Sequence, residues 1–439
     1  MEIAVKKVTR MEGHGDLLLR AENGSLREVR FDVVEPIRFF ETMLVGRWWD
    51  RVSEIASRIC GICAVAHTLA AIKATEAAMG IEPSEQTLRL RKIALHGEVI
   101  QSNSLHAYYL AGPDYFGKPD VFHMIDDYPD LVRIALRVKA LGNSLSETIG
   151  GRHVHPLALI VGGISKAPAR EKLAALVPRL KQCKEDVLAT IPLLKQVKLP
   201  DLERPTEYVA ISHPTEYSFY EGEIKSSAAP NTFANADYLQ VVHEFMTPTA
   251  TAKHSHGVSG GPYMVGALAR FNLNFDKLTP DAKQAAADLG MAPPVHRAYT
   301  ITLAQVIECV HCCDDALRLI GEVLDSGLRH EDVRVRPRGG RGVGIVEAPR
   351  GMLIHDYTYD GRARLAAANQ VIPTNQNLAN INADLQAIAP GIIGEPVDDV
   401  RLKLEMLVRA YDPCISCSAH VLEMEPQNDA KEIGSRNSE

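Results

Sequence analysis

The 439-residue sequence predicts an α+β fold that is mainly α: a central bundle of long helices with an N-terminal β-hairpin or sheet and peripheral β segments. Three observations carry this. The first 35 residues are rich in β-formers, long later stretches carry helical apolar periodicity, and the chain from about 196 to 250 is irregular and strand-like. No repeat, low-complexity linker or convincing boundary divides the chain, so one domain is expected.

Strands are expected at Val5–Val8, Asp16–Ala21 and Leu26–Val34. Asn23-Gly24 joins the last two, a pair that tolerates the positive φ angles of a tight hairpin turn. Helix is expected from about 64 to 112, broken at Gly80, a plausible C-cap, and resuming from Ser84 to Leu110. Further helices are expected over 128–150, 168–195, 299–325 and 397–410. Pro200, Pro205, Pro214 and Pro230 punctuate the strand-like region. After the helix at 299–325 comes a Gly/Arg-rich loop, RVRPRGGRGVG; it lacks the residue order of a P-loop, so phosphate binding gains little support.

Composition narrows the function classes. Apolar residues make up 46% of the chain, ample for a sizeable core. The formal charge of -7 comes with no long basic run, which argues against nucleic acid as a partner. No run of about eighteen apolar residues is present, so no membrane span is expected. The first residues, MEIAVKKVTRMEGHGD, lack the apolar core of a signal peptide.

Four of the eight cysteines sit in two matching stretches: Cys60-Gly61-Ile62-Cys63 with His67, and Cys414-Ile415-Ser416-Cys417 with His420. Each reads C-x-x-C-x-x-x-H or C-x-x-C-x-x-H, and each brings two sulfurs within reach of one metal. Four thiolates suit zinc, an iron–sulfur cluster, nickel or copper(I). Spacing alone is equally consistent with a structural zinc site, and less so with a redox disulfide. Cys309, His311, Cys312 and Cys313 look like a second cluster, but they lie on a broad apolar helical face and are expected to be core. A reducing, cytoplasmic compartment fits all eight thiols.

The context of the two pairs resembles nickel–iron hydrogenase large subunits. Arg58-Ile59-Cys60-Gly61-Ile62-Cys63 is similar to that family's N-terminal motif, and Asp412-Pro413-Cys414-Ile415-Ser416-Cys417-Ser418-Ala419-His420 to its C-terminal one. Further blocks recur in order: Arg10-Met11-Glu12-Gly13-His14, Glu41 to Arg47, Gly151-Arg152 with His155-Pro156, Val265 to Arg270, Glu347-Ala348-Pro349-Arg350-Gly351, and Val371-Ile372-Pro373-Thr374. The resemblance implies the family fold and a catalytic subunit that reversibly cleaves H2 heterolytically to protons and electrons.

It also implies roles for single residues. Cys60 and Cys414 would bind nickel terminally, while Cys63 and Cys417 would bridge nickel to an iron carrying carbon monoxide and cyanide. Glu12 would relay protons to and from Cys414, with Arg350 as rival base or electrostatic clamp. Asp114 and Asp412 would be the charge partners of Arg350, which follows Pro349 at the open face of the metals. Glu41, the Gln370 carbonyl and His420 would bind magnesium, a hard ion suited to oxygen ligands. His67 would hydrogen-bond a bridging thiolate, and the Thr374 hydroxyl would donate to a cyanide. Arg152, His155 and the segment Lys253–His256 are expected to be structural or at an interface.

The same resemblance implies an iron–sulfur small subunit as partner, since no spacing here supports such a cluster. A flavin- or NAD(P)-linked diaphorase, accessory proteins and a C-terminal endopeptidase would complete the set, in the cytoplasm. Residues 1–420 would be the mature domain, and Val421–Glu439 an extension cleaved after His420; its bland alternative is a frayed tail. The rival functions are a structural-zinc scaffold, a non-catalytic respiratory-complex relative and a hydrogen sensor. The four cysteines with Glu12 and Arg350 argue against the first two, and the extension argues against the sensor.

Overall fold

The computed structural model describes residues 1–418, so His420 and the 421–439 extension lie outside the described residues. Strands Glu2–Val5, Gly15–Glu22 and Ser25–Val33 form an antiparallel sheet in sequence order. The first strand lies earlier than expected, because the chain turns at Lys7 with φ 62°. Asn23 and Gly24 make the expected turn, with φ 50° and 76°. One face of the sheet buries Leu17, Leu19 and Ala21, and Asn382 of the helix Pro373–Ile392 accepts from the Phe31 amide at 2.7 Å.

Five long helices make the centre: Ala64–Met79, Glu85–Ser104, Pro129–Gly150, Leu176–Leu194 and Ile301–Ser326. Ser84 caps the second by accepting from the Thr87 amide, satisfying an otherwise unpaired donor of the first turn. That helix crosses Pro129–Gly150 where Gly97 meets Gly142; a Cβ on Gly142 would lie 2.5 Å from the Gln101 nitrogen. Small residues therefore set this spacing. Cys309, Cys312 and Cys313 are fully buried in the core on Ile301–Ser326, as their apolar face predicts.

Three features depart from the sequence expectation. Glu85–Ser104 does not simply run on as α-helix to Leu110 but opens into a π-helical turn, Leu105–Leu110. Residues 340–371 form a three-stranded antiparallel sheet, Gly340–Ala348, Gly351–Tyr359 and Leu365–Val371, whose first strand begins inside the stretch expected as a Gly/Arg-rich loop and whose other two were not anticipated. A helix, Pro373–Ile392, follows it, with Pro373 in its first turn, where a missing N–H costs nothing. The glycines of the first strand are there for contact: a Cβ on Gly344 would sit 2.2 Å from the Ala70 carbonyl oxygen, on the back of Ala64–Met79.

These elements converge on one place. Ala348 pairs with Gly351, so Pro349 and Arg350 form the tip of a two-residue hairpin. The loop after the first strand meets the end of the described chain through a bridge between Glu12 and Cys414, where the Ile415 amide donates to the Glu12 carbonyl at 3.0 Å. Among the described residues no helix is long and apolar enough to cross a membrane.

Candidate metal centre

Cys60 and Cys63 flank the turn that starts helix Ala64–Met79, and Cys414 and Cys417 flank the start of the short helix Ile415–Ser418. All four are buried, and their sulfurs lie within 4.8 Å of one another. Sγ of Cys60 is 3.6 Å from that of Cys414, Cys63 is 3.5 Å from Cys417, and Cys414 is 2.7 Å from Cys417. Among the described residues this is the only group of three or more His, Cys, Asp or Glu with such spacing.

Main-chain and side-chain contacts fix the two loops to each other. Arg38 donates to the Ile59 carbonyl at 2.5 Å and to the Ser416 carbonyl at 2.9 Å, so one guanidinium holds both. Glu98, buried on Glu85–Ser104, accepts from the Val65 and Ala66 amides at 2.6 and 3.0 Å and so caps the cysteine helix. Burial pushes the Glu98 carboxyl up to about 8. Gln101 Nε2 donates to the Ile62 carbonyl at 2.8 Å. Neither Arg38 nor Glu98 stands out in the sequence, because each acts on backbone groups far along the chain.

Glu12 reaches the centre from the other side. Its Oε2 accepts from Cys414 Sγ at 3.2 Å and from the Ser416 amide at 3.0 Å. Thr374 Oγ1 accepts from the Cys414 amide at 2.9 Å, which leaves its own hydroxyl proton to donate elsewhere. Arg350 Nε donates to the Asp412 carbonyl at 2.7 Å, and Nη2 lies 2.9 Å from Asp412 Oδ1. Asp412 itself takes φ 51°, a left-handed conformation that costs about 1–3 kcal/mol outside glycine. The contacts with Arg350 and with Gln305, at 3.1 Å, hold it there.

Asp114 is placed differently from the expectation. It pairs with Arg10, and with Arg409 at 2.7 Å, rather than with Arg350. Arg10 also donates to the Leu110 carbonyl at the end of the π-helical turn, at 2.7 Å, so it is held on both sides of the bend that carries Asp114. Glu41 Oε1 accepts from the Gln370 amide at 2.7 Å, so two of the three expected magnesium residues are neighbours. His155 binds the Ser57 carbonyl at 2.8 Å, and Lys253 pairs with Glu244 at 3.0 Å; neither is among the residues lining the cavity beside the sulfurs.

The donor set fits a soft metal. Contacts with Cys414, Cys417 and Cys63 pull the Cys60 thiol down, whereas burial pushes Cys414 and Cys417 far up. Four thiolates this close in an apolar interior need a cation among them. Beside the sulfurs is a small cavity of about 10 Å³, lined by Cys63, Cys414 and Cys417 together with His67, Arg350 and Thr374. Arg350 Nη1 is buried there with no hydrogen bond among the described residues. An unpaired guanidinium nitrogen beside a thiolate cluster suits small acceptor ligands on a bound metal. Burial holds the His67 imidazole neutral, down to about 4.

Comparison with known proteins gives one answer. The family model described as "Nickel-dependent hydrogenase" matches residues 38–129 and 207–420. The chain is 33% identical over 435 residues to sulfhydrogenase 2 subunit alpha of Pyrococcus furiosus, covering 97% of this chain and 100% of the relative. It is 32% identical over 431 residues to sulfhydrogenase 1 subunit alpha of the same organism, covering 97% and 99%. Its fold is similar to that of an NAD+-reducing [NiFe]-hydrogenase in the H2-reduced state, with a TM-score of 0.86 at 27% identity over 96% of this chain and 99% of that one.

Proposed function

This chain belongs to the nickel-dependent hydrogenase family, as the catalytic large subunit of a nickel–iron hydrogenase, and from that premise we propose that it cleaves H2 reversibly into protons and electrons. The observation that carries the proposal is the buried cluster of four sulfurs with Glu12 at 3.2 Å from Cys414. Cys60 and Cys414 would hold nickel, and Cys63 and Cys417 would be shared with iron. When bound, the centre supplies Lewis acidity and the redox change that splitting H2 requires.

The rest is the work of this chain's side chains. The Cys414 sulfur takes a proton, and Glu12 Oε2 receives it across the 3.2 Å contact. Arg350 keeps its charge, since guanidinium does not deprotonate in proteins, and Asp412 fixes its orientation. Thr374 offers its hydroxyl to the cavity that it lines with Arg350 and His67. The apolar residues around these groups exclude water, so each contact is stronger than it would be in solvent.

Glu41 and the Gln370 carbonyl would hold magnesium together with His420. The mature domain would be residues 1–420, with 421–439 removed. Electrons would pass to an iron–sulfur small subunit and on to a soluble carrier such as NAD(P) in the cytoplasm; the likeness to an NAD+-reducing hydrogenase supports that direction. The test is an infrared spectrum of the complex purified with its partners, alongside metal analysis and H2-dependent NAD(P)+ reduction. Bands of iron-bound carbon monoxide and cyanide with nickel present are expected. A fully processed protein holding only zinc would overturn the reading.

A further inference from the structure

A line of buried side chains runs from the cysteine cluster to Glu41, and its middle members, His355 and Tyr357, have no part in the proposed chemistry. His67 Nδ1 is 3.2 Å from His355 Nε2, and His355 Nδ1 is 2.7 Å from the Tyr357 hydroxyl. Gln370 Nε2 donates to that hydroxyl oxygen at 3.1 Å, while the Gln370 amide donates to Glu41. His67, His355, Tyr357 and Gln370 are each at most 1% exposed.

We propose that Tyr357 and Gln370 are positioning residues that set the tautomer of His67, and so direct its one ring proton into the cavity beside the cysteines. The argument is one of counting protons. Gln370 Nε2 can only donate, so of the two groups on the Tyr357 hydroxyl only His355 Nδ1 can accept its single proton, and a buried O–H left without an acceptor would be costly. His355 then carries its proton on Nε2 and donates to His67 Nδ1. That leaves His67 protonated on Nε2, on a ring that lines the cavity with Cys63 and Cys417. The strand Gly351–Tyr359 holds His355 and Tyr357 on one face, and its pairing of His355 with Gln370 keeps the amide in place. An N–H turned into the cavity that the sulfurs share would draw electron density from them, so the line would tune the centre from outside its ligands.

The inference rests on the nickel–iron reading, and two measurements separate the fates of the two. Histidine-selective 15N solid-state NMR of the purified complex reads the tautomer directly. The 3.2 Å contact supplies a through-space correlation that assigns the His67–His355 pair without substitution. Nε2-protonated His67 is expected; Nδ1-protonated His67 overturns the inference whatever metal is bound. Infrared spectra of Tyr357→Phe and His355→Phe then read the consequence. Carbon monoxide and cyanide bands are expected at lower wavenumber than in the unmodified complex. The control is Tyr359→Phe, which removes a buried hydroxyl bonded to Thr75 on the same strand, and its bands should stay. Unshifted bands in both test variants, or equal shifts in the control, would defeat the proposal. Absence of such bands from the unmodified complex would instead sink the hydrogenase chemistry, leaving the NMR result to decide the tautomer.

Discussion

Replacing Glu12 by glutamine separates the proton-accepting role of this side chain from its structural one. The amide keeps the length of the side chain, and its oxygen can still accept from the Ser416 amide at the 3.0 Å position. The bond is weaker because it is no longer charge-assisted, a loss of about 0.5–1.5 kcal/mol. The protein should therefore fold, load metal and keep its loops. What is lost is a base 3.2 Å from Cys414 Sγ. A positioned general base contributes roughly 100- to 10,000-fold, about 3–5 kcal/mol on the barrier. Isotope exchange between D2 and water isolates this step, because it needs no electron acceptor. Exchange should fall by about 100-fold or more in Glu12→Gln, with nickel and iron content unchanged. Exchange at the original rate in a fully loaded variant would refute the reasoning and turn attention to Arg350.

Other predictions concern the scaffold. Arg270 is fully buried, pairs with Glu308 and Glu347, and donates to the Ala348 and Pro349 carbonyls just before Arg350. Arg270→Met should destabilise the protein by about 3–5 kcal/mol in urea unfolding, since it strands two buried carboxylates; a change below about 1 kcal/mol would mean the pairs behave like surface ones. Gly344→Val should cost about 1–3 kcal/mol or prevent folding, because its Cβ has no room against Ala70; near-wild-type stability would show that the strand can move. Burial lowers the His311 imidazole to about 4, below its value in the unfolded chain. Between those values the unfolded state binds more protons, so stability should fall as pH drops from about 6.5 to 4. His311→Phe should lose less stability over that window, and an identical loss would assign the effect elsewhere. Mass spectrometry of active complex should find a chain ending at His420; an intact extension would remove the processing step.

Much of the site was legible because its residues come in short local runs. The two cysteine pairs, Glu12, Arg350 and Thr374, each singled out by its motif, lie together in the structure. The partners of Asp114 were not legible, since Arg10 and Arg409 lie 104 and 295 residues away in the chain. The sheet at 340–371 was hidden for a different reason. Gly340, Gly342 and Gly344 alternate along its first strand because a helix backbone lies against them. Close packing there removes the β-branched side chains by which a strand is recognised. The long helices at 129–150, 176–194 and 301–326 were read to within a few residues of the expected 128–150, 168–195 and 299–325, apart from the early start of the second, because nothing competes with their periodicity, whereas Pro373–Ile392 was missed.

The bridge between Glu12 and Cys414, with Arg38 spanning both cysteine loops, has a consequence for timing. The sulfur contacts join residues 354 positions apart. The chain must therefore be made through Cys417 before the four sulfurs can meet, and contacts of such long loop length are among the slowest to form. Until then the first cysteine pair waits on a helix that can already be capped by Glu98. The two halves of the pocket therefore lie almost as far apart in synthesis as they lie close in the fold.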